Sequence, residues 1–462
     1  MTSMTRLRNC LYICLLALGA MSAGPALAAS PPSPAALEAL VDEYLSPVLR
    51  TNNFSGVVAV ARGDEIQFQK GYGYASQELR VPHRPETLFH IASISKPFTA
   101  AAILRLAERG ALDLHAPLSG VLPGYPNGDV LTIHHLLTHT SGIPNINAFP
   151  EYDQIQYRPH TPEQLVAYFR DRPLEFTPGE RYSYSNSNYN LLAHIIERVS
   201  GSTYGDFIRR EIAVPFGLRS TGHPTDPGQI VPGLATGYAP RDMIDLELAR
   251  YLDWSVKTGN GSLYSSAADI LRFSRALHTG RLLGPSSLAA SFTQHSPNVG
   301  YGWFITRANN RDIHHINGRS PGWAGQYDYY IDEGVSVIVL SNSASSVTTP
   351  IARAVGAMFF GEPHEPFPNL TATLPSETVP PLLGSYRFGT DYYVPGAVVN
   401  AIERGGALYL ETQGVAPPSA LIPAGPNRFI WRPYWSEVEF VPGSDGRASE
   451  LVIDSFRGAR VR

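Results

Sequence analysis

A proline placed directly after a lysine fixes where one helix of this chain can begin. In the stretch Phe89-His90-Ile91-Ala92-Ser93-Ile94-Ser95-Lys96-Pro97-Phe98, continuing through Thr99 to Leu106, Pro97 has no backbone N–H and fits only a first helical turn. The helix therefore starts close to Ser93. Residues three apart share a helix face, so Lys96 is expected one turn beneath the Ser93 hydroxyl, within reach of its proton. The free amides and dipole of a helix start also favour negative charge beside Ser93.

A serine hydroxyl is a poor nucleophile at neutral pH. A lysine can activate it only when burial or nearby positive charge lowers the amine's pKa, and an arginine cannot play this part. The chain holds three lysines, Lys70, Lys96 and Lys257, against 33 arginines, so Lys96 is hard to dismiss as routine surface charge. A helix cap followed by a solvated lysine has the same spacing, however, and the rest of the chain must decide.

At 462 residues the chain suggests two or three domains. With 43% hydrophobic and 16% charged residues it has the composition of a folded globular protein. A net charge of −4 and the lack of any zinc or RNA-binding spacing argue against a nucleic-acid partner. Residues 1–28, with Arg6 and Arg8, the apolar run Leu11 to Ala20 and Ala26-Leu27-Ala28, read as a secretory signal peptide, too short in its apolar run to remain as a stable membrane span. Both cysteines, Cys10 and Cys14, fall in this leader. The mature chain is then expected to be periplasmic or secreted, without disulfides or thiolate metal sites.

Apolar spacing predicts a helix over Pro34 to Arg50, a hairpin from Gly56–Ala61 and Ile66–Tyr74, and helices over Leu191 to Val199 and from a Ser266/Asp269 capping box to Leu277. Strand patterns return at Tyr301–Ile305, Asp312–Asn317, Tyr327–Asp332 and Ser336–Asn342, before a helix near Thr349–Phe360. Strands at both ends around a helical insertion indicate an α+β domain over residues 29–362 whose sheet joins the two ends. A Pro-rich linker is expected over 363–381, and short alternating strands over 382–462 indicate a small all-β barrel or sandwich. His135 and His139 have the i, i+4 spacing of a metal pair but no third ligand, and read as structural. Neither metal nor organic cofactor is expected.

Ser93-Ile94-Ser95-Lys96, Tyr184-Ser185-Asn186 and Gly318-Arg319-Ser320-Pro321-Gly322-Trp323, with Leu136-Leu137-Thr138-His139-Thr140-Ser141-Gly142 and Pro178-Gly179 between them, together resemble the penicillin-recognising serine hydrolases. The branch resembled contains class C beta-lactamases, D-alanyl-D-alanine carboxypeptidases, D-aminopeptidases and beta-lactamase-fold esterases. The resemblance covers about Leu37 to Phe360, and residues 381–462 resemble the lipocalin-like C-terminal domain of some members. It implies a beta-lactamase/transpeptidase-like fold with Ser93 as acylated nucleophile, Lys96 as its proton partner and Tyr184 as second base, a phenol expected to ionise below its usual value near 10. It also implies that Asn186 binds the substrate and orients Lys96, and that the Ser93 and Arg319 amides form an oxyanion hole beside Gly318.

One position departs from the family pattern. A Lys or His usually stands two residues before the glycine of the third motif, and here that residue is Ile316. His315 would reach the cleft only through a bulge that shifts the strand register, and Arg319 is the other available cation. The implied function is hydrolysis of an ester or amide through an acyl-enzyme, with esterase or D-amino-acid peptidase ranked above beta-lactamase. The substrates would be small molecules or peptides of cell-wall type. The alternative is a penicillin-binding-like sensor or scaffold that is acylated with little or no turnover.

Overall fold

The computed structural model describes residues 31–461 apart from 225, 227, 372, 414 and 415, so the leader expected over residues 1–28 lies outside the described residues. Its centre is a six-stranded antiparallel sheet made of β1 (Gly56–Arg62), β2 (Glu65–Tyr72), β3 (Phe304–Ala308), β4 (Arg311–Ser320), β5 (Trp323–Tyr330) and β6 (Val335–Ser341), in the spatial order β2-β1-β6-β5-β4-β3. β1 pairs with β6 from Gly56↔Ser341 to Arg62↔Val335, which closes the N-terminal hairpin onto the C-terminal strands. The helical segment between residues 73 and 303 is thereby an insertion into one sheet.

The two central strands are apolar on both faces because both faces are covered. Val58 and Val60 pack with α1 (Pro34–Arg50) and with the helix Thr348–Phe360, whereas Val57 and Ala59 belong to the core shared with α2 (Lys96–Glu108) and the helical insertion. Strand alternation thus sorts every residue of β4 to one side or the other, and this sorting governs the site below.

In the insertion, α3 runs Asn186–Ser200 and α4 runs Ala267–His278, with α5 the Thr348–Phe360 helix already placed. The expected capping box at α4 is half formed. Ser266 Oγ accepts the Asp269 amide at 3.2 Å, but the Asp269 carboxylate does not return to the cap. It accepts the Ser220 amide at 2.6 Å and the Thr221 hydroxyl at 3.1 Å and pairs with Arg272, so tertiary partners take the group that a local motif would have used.

Residues 384–460 form a closed eight-stranded antiparallel barrel whose strands pair in sequence and whose first strand, Gly384–Phe388, also pairs with the last, Phe456–Arg460. The Pro-rich segment before it is packed. Phe367 lies between Tyr44, with ring centroids 4.5 Å apart, and Trp435, which it meets edge to face, and Val379 and Leu382 enter the barrel core. Among the described residues no helix is long and apolar enough to cross a membrane.

The turn Trp431 to Trp435 ties the barrel to the α+β domain, and Met243 packs beside it against Ala407, Tyr409 and Ala420. Arg432, fully buried at its tip, uses all five N–H donors. Nε binds Asn53 Oδ1 at 2.8 Å, Nη1 binds the carbonyls of Asp242 and of Asp245 (2.7 Å), and Nη2 binds those of Asn52 (3.1 Å) and Ile244 (3.2 Å). The 242–245 carbonyls belong to a hairpin, Tyr238–Pro240 with Leu246–Leu248, that this guanidinium ties to the barrel. Arg432→Met removes a donor from each of these acceptors and should cost on the order of 3 kcal/mol. A lowered melting temperature and new protease cleavage between residues 240 and 249 are expected; an unchanged melting temperature and cleavage pattern would show that the anchor is dispensable.

Candidate active site

The turn that carries Ser93 is held under backbone strain. Ala92 sits at φ 47°, a left-handed conformation that a non-glycine residue adopts at a cost on the order of 1 kcal/mol, and it opens a 3₁₀ turn, Ala92–Ser95, that runs into α2. The α-helix proper thus starts at Lys96, three residues later than a start at Ser93. The tighter turn eclipses residues i and i+3 and brings Lys96 Nζ to 3.1 Å from Ser93 Oγ. The turn is stitched to the loop before α4: Ile91 N–H donates to Leu263 O at 3.0 Å and Leu263 N–H donates to Ser95 Oγ at 3.1 Å.

Lys96 is almost completely buried, and its amine meets Asn186 Oδ1 at 3.0 Å and the Asn260 carbonyl at 2.7 Å as well as Ser93. Burial, with the positive charge of Lys257 second, holds its pKa well below the ordinary lysine value. A neutral amine has two N–H donors and one lone pair. Two of its three partners are carbonyl oxygens that can only accept, so the lone pair faces the third, the Ser93 hydroxyl.

Tyr184 OH lies 3.0 Å from Ser93 Oγ. Burial pushes its pKa up to about 12, with the Ser93 contact acting the other way, so the shift runs opposite to the lowering that the resemblance implies. The strand-like segment carrying it has His139 as its splint. Ser183 N–H donates to His139 O at 2.9 Å, Ser185 N–H to His139 Nδ1 at 3.2 Å, and the His139 and Tyr184 ring centroids are 4.6 Å apart. Burial lowers the His139 pKa to about 3, which keeps Nδ1 an acceptor.

Asn186 is the first residue of α3, and its Nδ2 donates to Asn147 Oδ1 at 2.7 Å while its backbone amide donates to Asn145 Oδ1 at 3.1 Å. That pairing leaves Oδ1 for Lys96. Gly318 faces the nucleophile turn so closely that a Cβ there would stand 2.5 Å from Ile91 O and 3.1 Å from the Ser93 amide. Gly259 similarly lets its loop close on α3, where a Cβ would stand 2.2 Å from Tyr189 O, and this sets the Asn260 carbonyl against Lys96.

The two side chains considered as replacements for the third-motif cation point away from the cleft. β4 pairs with β5 without a bulge, His315 opposite Asp328 and Ile316 opposite Tyr327, so His315 faces the α5 side, half-buried beside Phe304 and within the field of Arg353. Arg319 falls on the same face, with its guanidinium 4.5 Å from the Tyr434 ring of the barrel. Neither side chain supplies a cation to the cleft, and Ile316 is packed into a small cavity lined by Lys96, Tyr184 and Tyr189. Among the described residues no group of three or more His, Cys, Asp or Glu is disposed to hold a metal ion.

Three contributors escape a reading by motif. Asn260 acts through its backbone carbonyl, which leaves no side-chain signature, while Asn145 and Asn147 sit in a loop whose composition only says turn. A cleft of about 750 Å³ opens beside the nucleophile turn at His90, whose ring stacks on Trp254 at 3.5 Å, and continues past Trp323, Leu248 and Tyr251.

Comparison with known proteins identifies the family and the fold. The beta-lactamase family model matches residues 37–357. Penicillin-binding protein 4* of Bacillus subtilis (strain 168) is 30% identical over 428 residues, covering 87% of this chain and 93% of that protein. Esterase EstB of Burkholderia gladioli is 29% identical over 67% of this chain and 91% of its own. Among solved structures, a D-stereospecific amidohydrolase from Streptomyces sp. superposes with a TM-score of 0.61 at 26% identity, covering 72% of this chain and 100% of that one. Matched in sequence over most of its length and in the fold that carries the Ser93 centre, the chain belongs to the beta-lactamase family of serine hydrolases.

Proposed function

We propose that this protein is a secreted or periplasmic hydrolase that cleaves esters or amides through an acyl-enzyme on Ser93. The observation that carries the reading is the Lys96 amine fixed between two obligate acceptors with its remaining valence toward Ser93 Oγ. The signal-like leader supports export.

In the first half-reaction Ser93 Oγ attacks the substrate carbonyl as its proton passes to Lys96. The oxyanion develops beside the Ser93 amide and Gly318. When the tetrahedral species collapses, the protonated Tyr184 gives its proton to the departing oxygen or nitrogen, and the phenolate left behind takes the proton held by the Lys96 ammonium, whose Nζ lies 5.0 Å from the Tyr184 ring centroid. In the second half, water attacks the acyl group, its proton reaches Lys96 through the Tyr184 hydroxyl and returns to Ser93 Oγ, and a carboxylic acid leaves.

The missing third-motif cation ranks esterase or D-amino-acid amide and peptide hydrolysis above beta-lactam hydrolysis. Esterase EstB and the D-stereospecific amidohydrolase, both similar to this chain, support that order.

A fluorophosphonate should label the mature protein on Ser93, and Ser93→Ala should abolish labelling and lower kcat on a p-nitrophenyl ester by more than about a thousandfold. Labelling undiminished in Ser93→Ala would refute the assignment, and a stoichiometric burst without steady turnover would favour a sensor. Lys96 also leaves a thermodynamic trace. Between its lowered folded pKa and the unfolded value near 10.4 the unfolded chain holds one more proton, so stability rises with pH across that window. Lys96→Met should flatten that rise and raise the melting temperature at pH 7 while abolishing turnover; an unaltered pH dependence of melting would count against a neutral Lys96.

A further inference from the structure

The cleft of about 750 Å³ takes no part in the chemistry described so far. Ser93, Lys96 and Tyr184 are not among its lining residues, yet both segments that bracket Ser93 run into it. His90 forms its floor three residues before Ser93. On the other flank β4 passes Ser93 at Gly318, and Pro321 and Trp323, in the turn that follows, line the cleft. At about 3.3 Å per strand residue, Pro321 stands on the order of 10 Å beyond Gly318. Followed the other way, the same segments reach the proton-transfer groups. Lys96 lies three residues past Ser93, and Ile316, two residues before Gly318, shares a small cavity with Lys96 and Tyr184. Ser93 therefore stands between the Tyr184 hydroxyl on one side and the cleft on the other.

That order assigns the two halves of a substrate. The leaving group must lie where Tyr184 can protonate it, and the carbonyl oxygen lies toward the Ser93 amide and Gly318. The remaining substituent of the carbonyl carbon, the acyl group, is then directed away from Tyr184 and toward the cleft.

The lining says what kind of acyl group fits. The His90 ring, stacked on Trp254 with centroids 3.5 Å apart and met edge-on by Trp323 at 5.3 Å, makes an aromatic floor. Burial lowers the His90 pKa to about 3, so this floor is uncharged at neutral pH. Leu234 and Leu252 also line the cleft, and Leu248 and Tyr251 are 63% and 58% exposed there, apolar area left facing water. Asp253, the buried carboxylate in the lining, is engaged within its own turn. Its Oδ1 accepts the Ser255 amide at 3.0 Å and hydroxyl at 2.6 Å, and its Oδ2 the Tyr251 hydroxyl at 3.4 Å.

We infer that the cleft between Trp254, Trp323 and Leu248 is the acyl subsite of the Ser93 centre and selects esters and amides of acids with a bulky apolar group. The assignment deepens the hydrolase reading and rests on it. Each further methylene of the acyl group that enters the cleft leaves water, and the gain appears in kcat/KM.

The test separates the two sides of the scissile bond. On the acyl side, kcat/KM for p-nitrophenyl octanoate should exceed that for p-nitrophenyl butyrate by about tenfold or more. That ratio should fall about tenfold in Trp254→Ala, which removes part of the floor, and severalfold in Leu248→Asp, which puts a charge at an exposed rim position where folding is not at stake. On the alcohol side, the ratio of octyl butyrate to butyl butyrate should not respond to either variant. A fall of the acyl-side ratio in either variant supports the proposal. A wild-type acyl-side ratio near one, a ratio that both variants leave within about twofold, or variant sensitivity on the alcohol side instead overturns it. If wild type cleaves neither p-nitrophenyl ester, the hydrolase reading is what has failed. The subsite is then judged by calorimetric titration of Ser93→Ala with octanamide: binding that weakens in Ser93→Ala/Leu248→Asp supports it, and no binding to Ser93→Ala, or binding that the second substitution leaves unchanged, overturns it.

Discussion

A single buried amine organises this molecule. Lys96 has been taken out of water and given two carbonyl acceptors, one from the Asn186 side chain and one from the Asn260 backbone, and in that setting its charged form is the disfavoured one. Its lone pair then has one place to go, the Ser93 hydroxyl. A solvated lysine at the same spacing would be an ammonium and could accept nothing. Burial is therefore what would let a helix-start pattern act as a base in the proposed reaction, and Tyr189, Tyr184 and Ile316 line the small cavity around the amine.

Much of the fold can be understood as the means of assembling that amine's partners. Strained Ala92 presents Ser93, Gly318 lets β4 approach the turn, and Gly259 lets a distant loop deliver a carbonyl. His139 holds the Tyr184 segment, and two asparagines hold Asn186 by its amide ends. The barrel takes part at one remove. Arg432 secures the 238–248 hairpin, whose Leu248 lines the neighbouring cleft, and Tyr434 covers Arg319. Cleft shape thereby depends on residues some two hundred positions away in the chain.

The features legible in the sequence are those that short-range rules dictate. Pro97 located the helix start to within three residues, apolar runs marked β1 and β6, and the α+β order followed from strands at both ends of the hydrolase domain. The motif residues Ser93, Lys96, Tyr184 and Asn186 could be named because each carries its own chemistry in its side chain. What could not be read was set by long-range packing. The Asn260 carbonyl has no residue signature, Tyr184 resists ionisation because of burial that no motif encodes, and Asp269 abandons its capping box for partners some fifty residues upstream. His315 was excluded from the cleft only once an unbroken β4–β5 register was seen, since one bulge would have reversed its face.

The protonation state of Lys96 is the point on which the account stands, and a chain with three lysines permits it to be measured directly. In protein labelled with ¹³C at lysine Cε, the Lys96 signal, assigned by its loss in Lys96→Met, should titrate well below the ordinary lysine value near 10.4 while the protein remains folded. A Lys96 signal that titrates at or above that value would mean an ammonium faces Ser93 at neutral pH, and the amine could not be the base.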